Sequence, residues 1–397
     1  MRTTRAILMM KKLDWQRRGR CQARETSLVE AMDWLRRAHD ATPDSGVSAG
    51  YSLRGRWLPS YPETTGYIMQ TFLAHQDLFG GEDLLDRTRR MAIWEAEILG
   101  PDGGTPGSFG SNSQIAFNTG QVMLGWAEIL KRRALLPSED AEVIARAAEL
   151  ALDWLDDCIG DEGYFAKGVS RASTHGRHTH NMMTSWGMLA LSQVLGRERQ
   201  AARAISSVEY YMSCLDGFGW PNDAGISAAE RTYPLTHAIG YTVQGLLECG
   251  LLAGRADMVE RAAASLSSAS ALISKDGFLP GRIHAGWAGG ANWTCLTGSA
   301  QFACAYGRAA IFLGRPEFWE IAERLTDFVS RTQIVQGDPN IRGGVRGSYP
   351  FSFKGYMRVT MPNWAAKFHL DALHILLAND HPSRAALAET KTARTVQ

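Results

Sequence analysis

Thr64-Thr65-Gly66-Tyr67, Asn118-Thr119-Gly120-Gln121, Thr184-Ser185-Trp186-Gly187, His237-Ala238-Ile239-Gly240, Leu296-Thr297-Gly298-Ser299 and Pro362-Asn363-Trp364-Ala365 each open an apolar, helix-like run with a small or polar cluster. Their marker residues Gly66, Gly120, Gly187, Gly240, Gly298 and Ala365 are spaced by 54, 67, 53, 58 and 67 residues. Such an interval holds two helices and their loops, and repetition of one supersecondary unit is the mark of a stacked or closed array. Six units predict a toroid whose loops gather at one funnel.

Between the openings lie amphipathic segments, Glu25–His39, Glu82–Ile98, Glu139–Cys158, Arg199–Cys214, Ala256–Ile273 and Pro316–Arg331. In the third, Val143, Ile144, Ala147, Ala148, Ala151 and Leu155 form the apolar stripe. Ser138 can cap its start, and Glu139, Asp140 and Glu142 suit the positive helix end. Charges on one face suit an outer ring. The opening helices carry few charges and many small residues, as in Val122–Ala127 and Ala300–Tyr306, which suits an inner ring packed on both sides. Connectors such as Asp161-Glu162-Gly163-Tyr164-Phe165 and Asp276-Gly277-Phe278 supply tight turns and short strands. The expected class is all-α: an (α/α)6 toroid of six hairpins with short β connectors.

The repeat runs without a Pro/Ser-rich linker, predicting one domain over residues 24–380, a poorly ordered basic leader over 1–23 and a polar tail over 381–397. Net charge is +1 with mixed signs, so no global positive field recommends a nucleic-acid partner. Cys21, Cys158, Cys214, Cys249, Cys295 and Cys304 form no CxxC pair and read as buried free thiols, favouring a reducing compartment. In the leader, Ala6–Met10 is too short for a secretory core, and no later run approaches a membrane span. No integral membrane segment is expected, and a cytoplasmic location follows from the lack of an export signal.

Six inner and six outer helices joined by Asp-Gly-aromatic connectors resemble the (α/α)6 toroid of six-hairpin carbohydrate-active enzymes. That group includes unsaturated glucuronyl hydrolases, toroid polysaccharide lyases and the helical domain of glucuronyl 5-epimerases. The resemblance is one of architecture and implies an oligo- or polysaccharide substrate. Toroids also serve terpene, prenyl and lanthionine chemistry, so fold alone does not choose. Asp156-Asp157 ends an outer helix without an Asp-x-Asp-Asp acid, no Cys-His dipeptide occurs, and no Gly-x-Ser-x-Gly elbow is present.

The loop segments would bring one set of side chains to the funnel mouth. Tyr61, Trp220, Trp293 and Tyr356 offer flat faces for sugar rings, and Arg171, Arg231, Arg282 and Arg346 offer bidentate pairing with carboxylate. Asn118, Asn181, His284 and Asn363 add polar contacts. An anionic, uronate-containing glycan uses both features. Bridging between loops, to Asp102, Asp161 or Asp338, is the plain alternative for each arginine.

Abstraction of the proton at carbon 5, as in a lyase or epimerase, needs a base, a donor and groups that neutralise the carboxylate. His237 or Tyr241 is the expected base, Asn181 and Arg231 the clamps, and Tyr349 or Glu63 the donor, with His180 in the same inventory. Glu63 stands out as the carboxylate placed directly at an inner-helix start, although dipole stabilisation also explains it. Helix capping explains His180, Asn181 and His237 equally well. Hydrolysis by Glu63 and Asp223 and a non-catalytic glycan-binding role stay open. No cofactor is expected. For His175, His178 and His180 no carboxylate or Cys lies at ligand spacing, so no metal is expected.

Overall fold

Each repeat unit folds as a helical hairpin. The computed structural model describes residues 2–17, 22–108, 111–170, 173, 175–227 and 230–379. A leader helix α1 (Arg2–Arg17) precedes an outer ring of α2 (Arg24–Asp40), α4 (Leu84–Glu97), α6 (Ser138–Cys158), α8 (Glu198–Ser213), α10 (Ala256–Ser270) and α12 (Pro316–Thr332). The inner ring is α3 (Pro62–Phe79), α5 (Ala116–Leu130), α7 (Met182–Leu195), α9 (Thr236–Ala253), α11 (Leu296–Leu313) and α13 (Asn363–Ala378). Each inner helix packs on the next, and α13 packs on α3, so the ring closes. This is the (α/α)6 toroid that the repeat predicts.

The marker glycines sit where neighbouring inner helices cross. A Cβ at Gly66 would lie 2.5 Å from Val122 Cα of α5, and one at Gly120 would lie 2.7 Å from Thr184 Cα of α7. At Gly187 it would meet the Gly120 carbonyl oxygen at 1.9 Å. The repeat seen in sequence is therefore a repeat of close backbone approach, which only a missing side chain permits.

Buried aromatics join the rings and also find polar partners, as their N–H and O–H groups require. Trp126 Nε1 donates to the Ala92 carbonyl of α4 at 3.1 Å, and Tyr306 Oη donates to the Leu266 carbonyl of α10 at 2.6 Å. Ion pairs lace the outer helices: Arg24–Asp327 (2.8 Å), Arg36–Asp83 (2.9 Å), Arg89–Asp140 (2.7 Å) and Arg203–Asp156 (3.0 Å). At about 0–1 kcal/mol each when exposed, such pairs set register more than they drive folding.

Among the described residues five short strands lie in the connectors: β1 (Gly50–Ser52), β2 (Arg56–Trp57), β3 (Thr294–Cys295), β4 (Ser348–Tyr349) and β5 (Thr360–Pro362). They pair antiparallel in the orders β2-β1-β5 and β3-β4. The β1–β5 pairing joins the first connector to the last. Asn363 Nδ2 reinforces that seam, donating to the Ser48 carbonyl (2.8 Å) and to Thr64 Oγ1 (2.7 Å).

Within the leader, Arg2–Arg17 form a helix where poor order is expected. Ala6 and Met10 of α1 are buried, and Asp14 accepts from Arg346 and from the Phe351 N–H (2.6 Å). The apolar face too short for a signal sequence is a docking face. Residues 380–397, which hold the expected tail, lie outside the described residues. Cys158, Cys249, Cys295 and Cys304 are buried free thiols and Cys214 is half-buried; Cys21 lies outside the described residues. No described helix is long and apolar enough to cross a membrane.

Gly187→Val forces a side chain into the Gly120 carbonyl. Overpacking of this kind costs about 1–3 kcal/mol, so the variant is expected to melt several degrees below the parent in a reversible thermal scan.

Candidate active site

Inner helices that cross closely at their first turns bring those turns to one end of the ring. There they surround a cavity of about 700 Å³. Tyr61 and Glu63 come from the start of α3, Phe117 and Asn118 from α5, His237 and Tyr241 from α9, and Trp364 from α13. His180 enters from the 3-10 turn Thr179–Asn181 ahead of α7, and Tyr356 from the loop before β5. Ser108, Ser111, Asn112, Ser113, Ser170, Ser173 and Ile226 complete much of the wall. The histidine-rich loop and the Tyr61–Glu63 turn thus share one chamber.

Glu63 is its chemical centre. Tyr61 Oη donates to Glu63 Oε2 at 3.0 Å, and Tyr241 Oη reaches Oε1 at 3.4 Å. Burial pushes the carboxyl up to about 7, although both phenol hydrogen bonds pull the other way. The same burial, with the charge of Glu63 beside it, holds the Tyr241 phenol far above the usual range, so it stays a neutral donor.

His237 is buried, its ring 4.2 Å from that of Tyr241. Desolvation lowers it to about 4, so it is neutral at pH 7. The Gln301 side-chain amide meets Nδ1 at 2.9 Å. Its orientation is assigned from its neighbours: with the nitrogen turned to His237, it donates to the His237 carbonyl (3.1 Å) and to Nδ1, and its oxygen accepts from the Tyr241 N–H (3.3 Å) and from the Gln244 side-chain amide turned in concert (3.1 Å). Nδ1 is then the acceptor, and the ring proton sits on Nε2. His180, lowered to about 3 by burial, packs edge-on to Phe117 at 5.2 Å between ring centroids.

Of the residues expected from sequence, Glu63, His237, Tyr241, His180, Tyr61, Asn118 and Tyr356 line the cavity. Asn118 also donates to the Pro106 carbonyl at 2.9 Å. The others lie elsewhere. Tyr349 lies in β4, edge-on to Phe328, with the Arg346 guanidinium over its ring. Asn181 donates to the Gly176 carbonyl at 3.2 Å behind the wall, and Asn363 belongs to the ring seam. Trp220 is buried edge-on to Trp287, and Trp293 is buried beside Leu235 and Cys295.

Two of the four expected arginines are engaged in structure. Arg346 is fully buried on Asp14, and Arg282 holds Glu230 (2.6 Å) and the Tyr233 carbonyl (2.9 Å). His284 stacks on Tyr233 at 4.1 Å, and Arg231 is exposed outside the cavity wall. Arg171 lies outside the described residues. Among the described residues no Lys or Arg lines the cavity. Asp223, the second carboxyl of the hydrolytic alternative, faces His175 and His178 instead (3.3 Å each).

Sequence reading missed Phe117, Trp364 and Gln301. Phe117 and Trp364 stand inside or beside the repeat openings, a signal that was available; Gln301 lies one turn into α11, 64 residues from the imidazole it orients. A second cavity of about 350 Å³ opens near the C-terminal ends of the inner helices, lined in part by Trp186, Gln244, Glu248, Cys304, Arg308 and His374.

No family model matches the chain, and no curated protein matches it. Among solved structures the chain is similar to an unsaturated glucuronyl hydrolase specific for heparin, at TM-score 0.70 and 11% identity over 89% of this chain and 96% of that one. It is also similar to the unsaturated glucuronyl hydrolase of Bacillus sp. GL1 (TM-score 0.66, 14% identity, 88% and 96% coverage). A third is the cellobiose 2-epimerase of Bacillus thermoamylovorans (TM-score 0.66, 10% identity, 88% and 97% coverage). These likenesses carry the six-hairpin fold; at such identities the chemistry rests on the site itself.

A carboxyl raised from its ordinary 4.5 to about 7 makes the native state bind its proton more tightly than the unfolded chain does. Its contribution is fully present below pH 4.5 and is lost as pH rises through 7. Glu63→Gln removes this loss. The variant is expected to gain stability over the parent between pH 5 and pH 8, by at most about 3 kcal/mol, in denaturant titrations at the two pH values.

Proposed function

We propose that this protein is a saccharide-processing enzyme that moves a proton at a sugar carbon. The observation that carries the reading is Glu63, half-buried in the wall, its carboxyl raised to about 7 by desolvation and facing a chamber of aromatic and neutral polar side chains. A base works best with a pKa near the operating pH. Glu63 takes the proton, and Tyr61 and Tyr241 favour its ionised form by hydrogen bonding. His237, expected from sequence as a base, presents Nε2–H instead and stabilises the oxygen on which negative charge develops. Phe117, Trp364 and Tyr356 supply faces for sugar rings.

The substrate class is a uronate-containing oligo- or polysaccharide, with abstraction at carbon 5 leading to epimerisation or elimination. Five inner-helix N-termini converging on the chamber favour an anionic group there. A second reading draws on the lack of a described cation in the wall: a neutral sugar in open-chain form, deprotonated at carbon 2 beside its aldehyde, the position that gives the similar cellobiose 2-epimerase its name.

Incubation in deuterium oxide separates these outcomes. Deuterium at carbon 5 without cleavage marks an epimerase of uronates, new ultraviolet absorbance of an unsaturated uronate marks a lyase, and deuterium at carbon 2 of an aldose marks the second reading. Reducing ends without deuterium, or saturable binding with no product, would overturn the proposal. With a turned-over substrate, kcat/KM is expected to rise with pH through about 7, the Glu63 value. Glu63→Gln is expected to lose about 10²–10⁴-fold in kcat. His237→Ala is expected to lose about 10²–10³-fold while the pH limb persists.

A further inference from the structure

Behind His180 stands a second cluster that the proton-transfer site does not use. His175, His178 and His180 stack in series, with centroids 4.5 Å apart at 17° for the first pair and 5.6 Å at 21° for the second. His180 lines the chamber, whereas His178 is 1% exposed; its Nδ1 faces the Asp223 carboxylate without a well-aligned hydrogen bond, and its Nε2 has no hydrogen-bond partner. A buried imidazole with one nitrogen unmatched and the other poorly aligned on its partner is costly unless a ligand completes it.

Asp223 faces this gap from the next loop. Its Oδ1 lies 3.3 Å from His178 Nδ1 and its Oδ2 lies 3.3 Å from His175 Nε2. One ligand atom from each of the three residues falls within 4.8 Å of the others. In a tetrahedral site with bonds of about 2.0–2.1 Å, neighbouring ligand atoms are about 3.3–3.4 Å apart. Each 3.3 Å contact taken singly has the length of a coordination edge, but the two use different oxygens of Asp223, so side-chain rotation has to bring the three ligand atoms onto one ion. Asp223 also adopts a left-handed backbone (φ 63°), and its carbonyl accepts from the Thr179 N–H at 3.2 Å.

We infer that His175, His178 and Asp223 form a binding site for a divalent transition-metal ion of the zinc class, which clasps the loop before α7 to the loop before α9. Two imidazoles and one carboxylate suit such an ion and leave a coordination position for water. His175, 40% exposed at its side chain, closes the site by turning its ring toward the ion. The clasp sits two residues from His180 and fixes the wall of the chamber on that side. The sequence hides it because the carboxylate arrives from 45 residues beyond His178.

The test uses the full chain freed of metal by chelator and dialysis, then titrated with Zn²⁺ by calorimetry and with Co²⁺ by visible absorption. One ion per chain is expected, with ligand-field bands of a low-coordinate Co²⁺ that Zn²⁺ displaces. Asp223→Asn and His178→Gln are each expected to weaken binding by at least about 100-fold. The exposed ligand variant His175→Ala, whose fold circular dichroism checks, is expected to weaken it measurably. Replacing His374, which pairs with His75 at the other end of the ring (3.0 Å), is expected to change nothing. Failure to bind one ion stoichiometrically, or binding indifferent to both His175→Ala and Asp223→Asn, would overturn the proposal.

Discussion

Close backbone contact between neighbouring inner helices is the constraint on which the rest depends. Gly66, Gly120 and Gly187 let α3, α5 and α7 approach at their first turns, with no room for even a methyl group. Gly298 does the same against the His237 backbone of α9, at 2.7 Å. Helices that cross near their N-termini turn those termini toward a common axis. The chamber, its converging helix dipoles and its ring of first-turn side chains all follow. Asn363 and the β1–β5 pairing then join the last unit to the first, so that no hairpin is left with an open inner face.

Within that frame, chemistry arises from burial more than from charge. Glu63 lies at a helix start, where the dipole favours its anion, yet desolvation outweighs that help and the two phenols and keeps it near neutrality. The imidazoles move the other way for the same reason and stay neutral. The result, among the described residues, is a site of one titratable carboxyl among neutral donors. Such a site suits proton transfer to and from carbon better than it suits a pair of opposed carboxylates.

Much of this was legible in the sequence, and the boundary is physical. Periodicity located all six outer helices, because an amphipathic stripe is a local property: α12 runs Pro316–Thr332 against an expected Pro316–Arg331. Glu63, Tyr61, His180, His237 and Tyr241 were legible because they sit at repeat openings, and the toroid places all openings at one end. The arginines were not. Arg346 pairs with Asp14 across 332 residues and Arg342 with Glu30 across 312, and no local pattern announces such partners. A basic side chain in a loop reads the same whether it faces substrate or a buried carboxylate. Gln301 was invisible for a related reason, since the imidazole it orients belongs to the neighbouring unit.

The most direct measurement is a crystal structure of the chain with a bound uronate-containing oligosaccharide. The account predicts one sugar ring against Phe117, Tyr356 and Trp364, with its reacting carbon over Glu63 and an acidic or carbonyl oxygen toward His237 Nε2. A saccharide ordered only in the opposite cavity, beside Glu248 and Arg308, with none in the Glu63 chamber, would contradict it.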